Sequence, residues 1–186
     1  GENIPPLSKN RAIGILGLGE LGMHCASKLS EFGFKVSGWS RTEKKHPQIQ
    51  CLTGNIGFEK ILNSSEIIIL LLPNTEETKR ILNQKNINKM LDGVSIINPG
   101  RGTLIDDEAL IEALNSGKIN GATLDTFDTE PLPKSHPYWF HPNVLVTPHI
   151  ASATRVDSAC EIIADNIKRG ENQKPFRYLV DRLSGY

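Results

Sequence analysis

Cysteine is scarce in this chain, charge of one sign is never in excess, and long hydrophobic runs are missing. The three cysteines, Cys25, Cys51 and Cys160, are widely scattered and odd in number. They form no C-x-x-C pair and no zinc-finger spacing, which excludes a disulfide framework and reads as reduced thiols of a cytoplasmic compartment. The five histidines show no H-x-x-x-H pair, so no metal site is expected. Lys plus Arg equals Asp plus Glu at 21 each, which leaves no basic excess for a nucleic-acid surface. The longest apolar run covers residues 67–72, far short of the roughly 20 residues needed to span a bilayer. No charged stretch followed by an apolar segment opens the chain, so no secretory signal is read and no membrane partner is expected.

What is present is the composition of a folded domain, 38% hydrophobic and 23% charged over 186 residues. Short apolar runs alternate with helical patterns. Strands are expected at residues 12–16, 34–39, 67–72, 94–97, 121–125 and 144–147. The run at 67–72 is continuous rather than alternating, as in a parallel strand covered on both faces. Leu21, Cys25, Leu29 and Phe32 stand at helical spacing, with Gly33 at the C-cap position. Another helix ends near Ile61 and Leu62, and short helices are expected at 75–82 and 86–91. Residues 106–115 carry Asp and Glu in the first turn, where the helix dipole favours them. A last helix should cover 154–168, before a stop at Gly170. Strands alternating with helices across short loops make a doubly wound parallel α/β sheet. The reading divides the chain into residues 1–11, a linker remnant containing Pro5-Pro6, then a domain at 12–150, then a helix and tail at 151–186.

Gly17-Leu18-Gly19-Glu20-Leu21-Gly22 matches G-x-G-x-x-G. The motif is weak alone, but here it follows an expected strand and opens an expected helix, the context of a Rossmann-type dinucleotide site. The first glycine permits the tight turn, the second admits the pyrophosphate, and the third lets helix and strand pack closely. NAD-specific sites usually place an acidic side chain about twenty residues further on. Here the second strand ends Gly38-Trp39-Ser40-Arg41, with Lys44 and Lys45 beyond. A 2′-phosphate can pair with the guanidinium of Arg41 and accept a hydrogen bond from Ser40. NADP(H) is therefore favoured, with NAD(H) the alternative if this is only a solvated basic loop.

Three further motifs follow in order: Asn98-Pro99-Gly100-Arg101-Gly102, then Gly121 to Phe127 leading to Glu130-Pro131, then Thr147-Pro148-His149-Ile150-Ala151. Together they resemble the D-2-hydroxyacid dehydrogenases, from about Ala12 to the end of the chain. Residues 71–78, the Trp39-Ser40-Arg41 tip and the ending Val180-Asp181-Arg182-Leu183-Ser184-Gly185-Tyr186 resemble the glyoxylate/hydroxypyruvate reductases among them. The resemblance implies His149 as general acid, Glu130 as its partner and Arg101 as the cation for the substrate carboxylate. It also implies cofactor contacts from Leu18, Gly19, Glu20 and Leu21 at the pyrophosphate, Pro73 and Thr78 at the ribose, and Asp125 at the nicotinamide carboxamide. The chemistry agrees, because a histidine beside a carboxylate can pass a proton while an arginine grips a carboxylate with paired hydrogen bonds. Trp39 and Trp139 are expected to fill core or interdomain surface.

Members of that family open with a substrate domain, and only about ten residues precede the glycine-rich strand here. The half that would close the cleft is expected to be cut away or naturally absent, leaving a cofactor-binding fragment with weak catalysis at best. The resemblance implies a homodimer and a small 2-oxo acid substrate such as glyoxylate or hydroxypyruvate, reduced with NADPH. Two other readings stay open: a nucleotide-sensing, corepressor-like binding protein, and another NAD-dependent member acting on a substrate such as phosphoglycerate. Turnover by the full-length protein separates the first from an enzyme, and an acidic tip after Trp39 would have favoured either.

Overall fold

The computed structural model describes residues 6–182. Residues 1–5 of the expected linker and 183–186 of the tail motif lie outside the described residues. The strands are β1 Ala12–Leu16, β2 Lys35–Trp39, β3 Gln50–Leu52, β4 Ile67–Leu70, β5 Val94–Asn98, β6 Ile119–Leu124 and β7 Val144–Val146. The α-helices are α1 Glu20–Glu31, α2 Gly54–Ser64, α3 Gln84–Ile87, α4 Asp107–Asn115 and α5 Val156–Glu171. Among the described residues the strands form one sheet in the order β3-β2-β1-β4-β5-β6-β7. Every neighbouring pair is parallel.

The chain builds outward from β1 to β3 on one side, then crosses back and builds outward from β4 to β7 on the other. Loops leaving the C-terminal ends of β1 and β4 therefore diverge, which opens a crevice at the switch of direction. The two loops start together: Gly17 donates its N–H to the Trp39 carbonyl and Leu71 donates to that of Leu16, both at 2.8 Å.

Side chains alternate across the sheet with the strand period of two. Leu16, Ile68, Leu70, Val94 and Ile96 join Ile61, Leu62, Ile87 and Leu110 from α2, α3 and α4 in one apolar cluster. Ile13, Ile15, Val36 and Ile69 face the other way and pack with Ala26 of α1. The first cluster reaches β7, where half-buried Val144 and Val146 pack against it, whereas the second runs only as far as β5, where half-buried Ile97 packs against it. On that second face Thr123 of β6 is half-buried and its register partner Leu145 of β7 is 59% exposed.

Several expected elements differ. Residues 75–82 make turns rather than a helix. The Thr78 hydroxyl donates to the Pro73 carbonyl at 2.7 Å and accepts from the Thr75 N–H at 2.9 Å. That local bonding offers the backbone an alternative to helix. Arg80, at φ 50°, then turns its N–H to the Thr103 carbonyl, and Leu82 forms a parallel bridge with Ile105. The helix expected at 86–91 shrinks to α3, capped by the Asn83 side chain accepting from the Asn86 N–H. β3 was not expected, since three residues are too few to show alternation. Gly170 does not stop the last helix, which continues to Glu171 with its C-cap at Asn172.

The chain divides after His149 into two compact units. In the second, Arg169 pairs with Asp165 at 2.9 Å and Arg177 donates its backbone N–H to the Asn166 side chain at 2.8 Å. The first contact lies within α5, while the second, with Arg169 Nη1 donating to the Pro175 carbonyl at 3.0 Å, folds the tail back on α5. Val156, Ile163 and Ile167 of α5 are exposed.

One glycine contact generates a test. A β-carbon on Gly22 would sit 1.7 Å from the Gly17 carbonyl oxygen, whereas one on Gly19 would meet nothing within 4 Å. Gly22→Ala is expected to cost about 3 kcal/mol or more. Gly19→Ala should cost no more than about 1 kcal/mol, the scale of an N-cap change. Urea unfolding midpoints read both, and equal losses would contradict this assignment of roles.

Candidate active site

The glycine loop builds a cradle from backbone alone. Gly17 has φ 108°, a region that favours glycine, and a β-carbon there would run into the Leu71 carbonyl at 2.4 Å. Leu18 turns its side chain inward onto Gly38 and is buried, so only its backbone is available to a ligand. Gly19 is the N-cap of α1, and the first helical hydrogen bond runs from Met23 N–H to its carbonyl at 2.9 Å. The N–H groups of Glu20, Leu21 and Gly22 thus have no intrahelical acceptor, and the dipole of a 12-residue helix adds positive potential there. Open space above Gly19 completes a site that fits a diphosphate. Glu20 and Leu21 are exposed at its rim.

The tip of β2 lies beside this cradle, because Leu16 and Trp39 are register partners. Ser40 is buried, its N–H donates to the Leu52 carbonyl, and its hydroxyl donates to the Thr42 carbonyl at 2.7 Å. A phosphate at the tip would have to draw that hydroxyl hydrogen away from Thr42. Arg41 is exposed, and Lys44 and Lys45 follow on the same loop. Trp39 is half-buried, packs edge-on against Phe58 at 5.3 Å, and lies with it against the larger apolar cluster.

Beyond β4, Pro73 is half-buried while Thr78 is buried with its hydroxyl committed to the loop's own backbone. Thr78 therefore shapes the position of Pro73. Asp125 follows β6 and is 3% exposed. Its N–H donates to the Asn98 carbonyl at 3.0 Å, and one carboxylate oxygen accepts from the Thr147 hydroxyl at 2.5 Å. Asp125 therefore ties together the ends of β5, β6 and β7, through its backbone N–H on one side and its buried carboxylate on the other.

Arg101, Glu130 and His149 leave those same three strand ends. Glu130 accepts from the Phe127 N–H at 2.9 Å through one oxygen and meets His149 Nδ1 at 2.8 Å through the other. The Phe127 N–H first, then the His149 ring, with Arg101 adding a smaller attraction, hold the Glu130 carboxyl below the usual carboxylate range. An ionised carboxylate only accepts, so Nδ1 carries the hydrogen and Nε2 is left to exchange a proton. His149 has φ 53°, an uncommon region for a non-glycine residue though less so for histidine. Arg101 is exposed, with Nη1 donating to the Gly100 carbonyl at 2.7 Å. Among the described residues, no cluster of three or more His, Cys, Asp or Glu could hold a metal ion.

Sequence reasoning missed the residues that set this geometry. Buried Asn98 accepts from the Gly100 N–H at 3.1 Å and donates to the Arg101 carbonyl at 2.9 Å, fixing the Arg101 loop. Gly102 admits the next loop, since a β-carbon there would overlap Phe127 backbone at 1.9 Å. Both stand inside the motif that drew attention to Arg101, and an asparagine closing a buried strand was the available signal. Also unread was an apolar cavity of about 470 Å³ beside Glu130 and His149, walled by Phe127, Leu132, Trp139 and Val146.

Residues 5–151 match the D-isomer specific 2-hydroxyacid dehydrogenase NAD binding domain. Glyoxylate/hydroxypyruvate reductase A of Klebsiella pneumoniae strain 342 is 42% identical over 185 residues, covering 97% of this chain and 59% of its own length. The chain thus spans about three-fifths of that curated relative. A D-isomer specific 2-hydroxyacid dehydrogenase of Xanthobacter autotrophicus Py2, solved with NADPH and MES, superposes with a TM-score of 0.95 at 42% identity. The superposition covers 98% of this chain and 76% of that one. The NADPH-dependent glyoxylate/hydroxypyruvate reductase of Sinorhizobium meliloti, solved with NADP and sulfate, gives 0.93 at 34% identity, covering 97% and 58%. Among the described residues no helix is long and apolar enough to cross a membrane. The chain belongs to the D-isomer specific 2-hydroxyacid dehydrogenase family and carries its Rossmann-type NAD-binding domain.

Proposed function

We propose that this chain is the cofactor half of an NADPH-dependent reductase that converts a small 2-oxo acid, glyoxylate or hydroxypyruvate, to the 2-hydroxy acid. The observation that carries the reading is the Glu130–His149 contact at 2.8 Å, on the strand edge that also holds the diphosphate cradle and Arg101. When bound, the reduced nicotinamide supplies the hydride. Arg101 holds the substrate carboxylate through paired hydrogen bonds and polarises the carbonyl. As hydride adds to the carbonyl carbon, His149 Nε2 gives a proton to the developing alkoxide, and Glu130 stabilises the imidazole in the required tautomer. The reverse reaction returns that proton to Nε2. Asp125 accepts from the carboxamide, Pro73 lines the ribose, and Thr78 holds Pro73 in place. The first turn of α1 takes the diphosphate, and Ser40 with Arg41 takes the 2′-phosphate.

The same reading includes a homodimer in the cytoplasm. The open β6–β7 face around Leu145 supports a partner, because parallel sheets are ordinarily covered on both faces. The three free thiols suit a reducing compartment. Sedimentation velocity tests the dimer, and a species monomeric at every concentration would remove it.

Calorimetry with NADPH and NADH tests the cofactor. NADPH is expected to bind at least about tenfold more tightly, and Arg41→Ala to abolish most of that difference, the scale of one charge-assisted hydrogen bond. NADH affinity should stay within about twofold. A preference for NADH would contradict the assignment and favour a nucleotide sensor or another NAD-dependent member.

The proton-transfer pair has a pH signature. Glu130 should titrate below the ordinary glutamate value of about 4.3 when followed by carboxyl-detected NMR. Its folded-state value is depressed, so its contribution to stability is complete above the unfolded value and is lost as pH falls through the folded one. Solvent exposure keeps that contribution small. In His149→Ala the titration should move only part of the way back, since the Phe127 N–H remains. Full return would show that the histidine alone sets it.

A further inference from the structure

Thr147 commits each of its polar groups to a different part of the candidate site. Its N–H donates to the Leu124 carbonyl at 3.0 Å, carrying the β6–β7 pairing one residue past the strand. Its carbonyl accepts from the His149 N–H at 3.1 Å, which closes a three-residue turn around Pro148. Its hydroxyl donates to the Asp125 carboxylate at 2.5 Å, within the range of a charge-assisted hydrogen bond. Asp125 is the carboxamide contact and His149 the proton donor of the reading above, so one residue touches both.

The hydroxyl supplies a constraint that burial alone does not. Rotation of an aspartate carboxylate about its last bond is broad rather than three-fold, so packing fixes where Asp125 sits but not the plane of its oxygens. A carboxamide N–H needs that plane set, because a hydrogen bond weakens steeply as it departs from linearity. Thr147 is half-buried and β-branched, with few rotamers open to it, and its backbone is held by the two bonds just described. A carboxylate offers about four acceptor positions, so a hydroxyl on one oxygen leaves capacity for an amide N–H. Valine would keep the shape and both backbone bonds and remove only the hydroxyl.

We propose that Thr147 is a positioning residue, whose hydroxyl sets the plane of the Asp125 carboxylate for the nicotinamide carboxamide and so orients the ring. The assignment rests on the reductase reading above, in which Asp125 meets the carboxamide. Because the Thr147 carbonyl, not the hydroxyl, holds the His149 N–H, loss of the hydroxyl leaves the Glu130–His149 contact in place.

Calorimetry with two dinucleotides tests it: NADP⁺ and its 3-acetylpyridine analogue, which carries a methyl ketone in place of the carboxamide and so lacks the N–H donors. The native chain should bind NADP⁺ about tenfold more tightly than the analogue, the scale of one hydrogen bond to a charged group. Thr147→Val should erase most of that difference by weakening NADP⁺, with the analogue's affinity within about twofold. Thr147→Ser, which keeps the hydroxyl, should restore it. The Glu130 titration should be the same in Thr147→Val as in the native chain. Thr147→Ala reads the same difference if the valine variant does not fold. Equal losses for both dinucleotides, a shifted Glu130 titration, or a native preference kept without the hydroxyl would each overturn the proposal. A native chain that binds the two alike would instead sink the placing of the carboxamide at Asp125. Failure of both to bind would sink the reductase reading itself.

Discussion

A β-carbon on Gly22 would lie 1.7 Å from the Gly17 carbonyl oxygen, and that missing atom is what allows α1 to start against the end of β1. The contact sets where the first turn of α1 points. It also places the cradle next to the tip of β2, since Gly17 hydrogen-bonds the Trp39 carbonyl while Leu18 fills the space over Gly38. Three glycines thus do different work. Gly17 makes the turn and clears Leu71, Gly22 closes the packing, and Gly19 keeps the surface open for a ligand.

A second set of constraints arranges the opposite side of the crevice. Asn98 holds the Arg101 loop, Gly102 admits the Phe127 loop, and Asp125 with Thr147 joins the ends of β6 and β7. Through those supports, three chemistry-bearing residues from separate loops share one edge. Glu130 and His149 are both substantially exposed, so their contact contributes little to stability. Its use lies in fixing which imidazole nitrogen carries hydrogen. The left-handed backbone at His149 sits at the same place, as strained conformations often do at functional sites.

The glycine loop, its strand and its helix were legible because strand, turn and helix signals there agree. β1 begins and ends as expected, and α4 starts one residue after Asp106, whose side chain caps it by accepting from Ala109. Residues 75–82 were misread as a helix because the Thr78 hydroxyl and the Thr103 carbonyl offer the backbone other partners, which residue type does not show. The two Ser40 bonds and the inward hydroxyl of Thr78 could not be read from residue type, since each depends on what folds beside it. The cavity at Trp139 was illegible for the same reason. Its walls come from positions 127, 132, 139 and 146, which lie in loops, a short turn and β7 rather than on one element.

The central claim is that backbone amides at the start of α1 and the tip of β2 together hold a dinucleotide phosphate skeleton. Amide NMR during titration with NADPH tests it most directly. The account predicts saturable shifts with one affinity at residues 18–22 and at Arg41, while amides along α3 stay in place. Shifts confined elsewhere on the chain, or different affinities at the cradle and at Arg41, would contradict it.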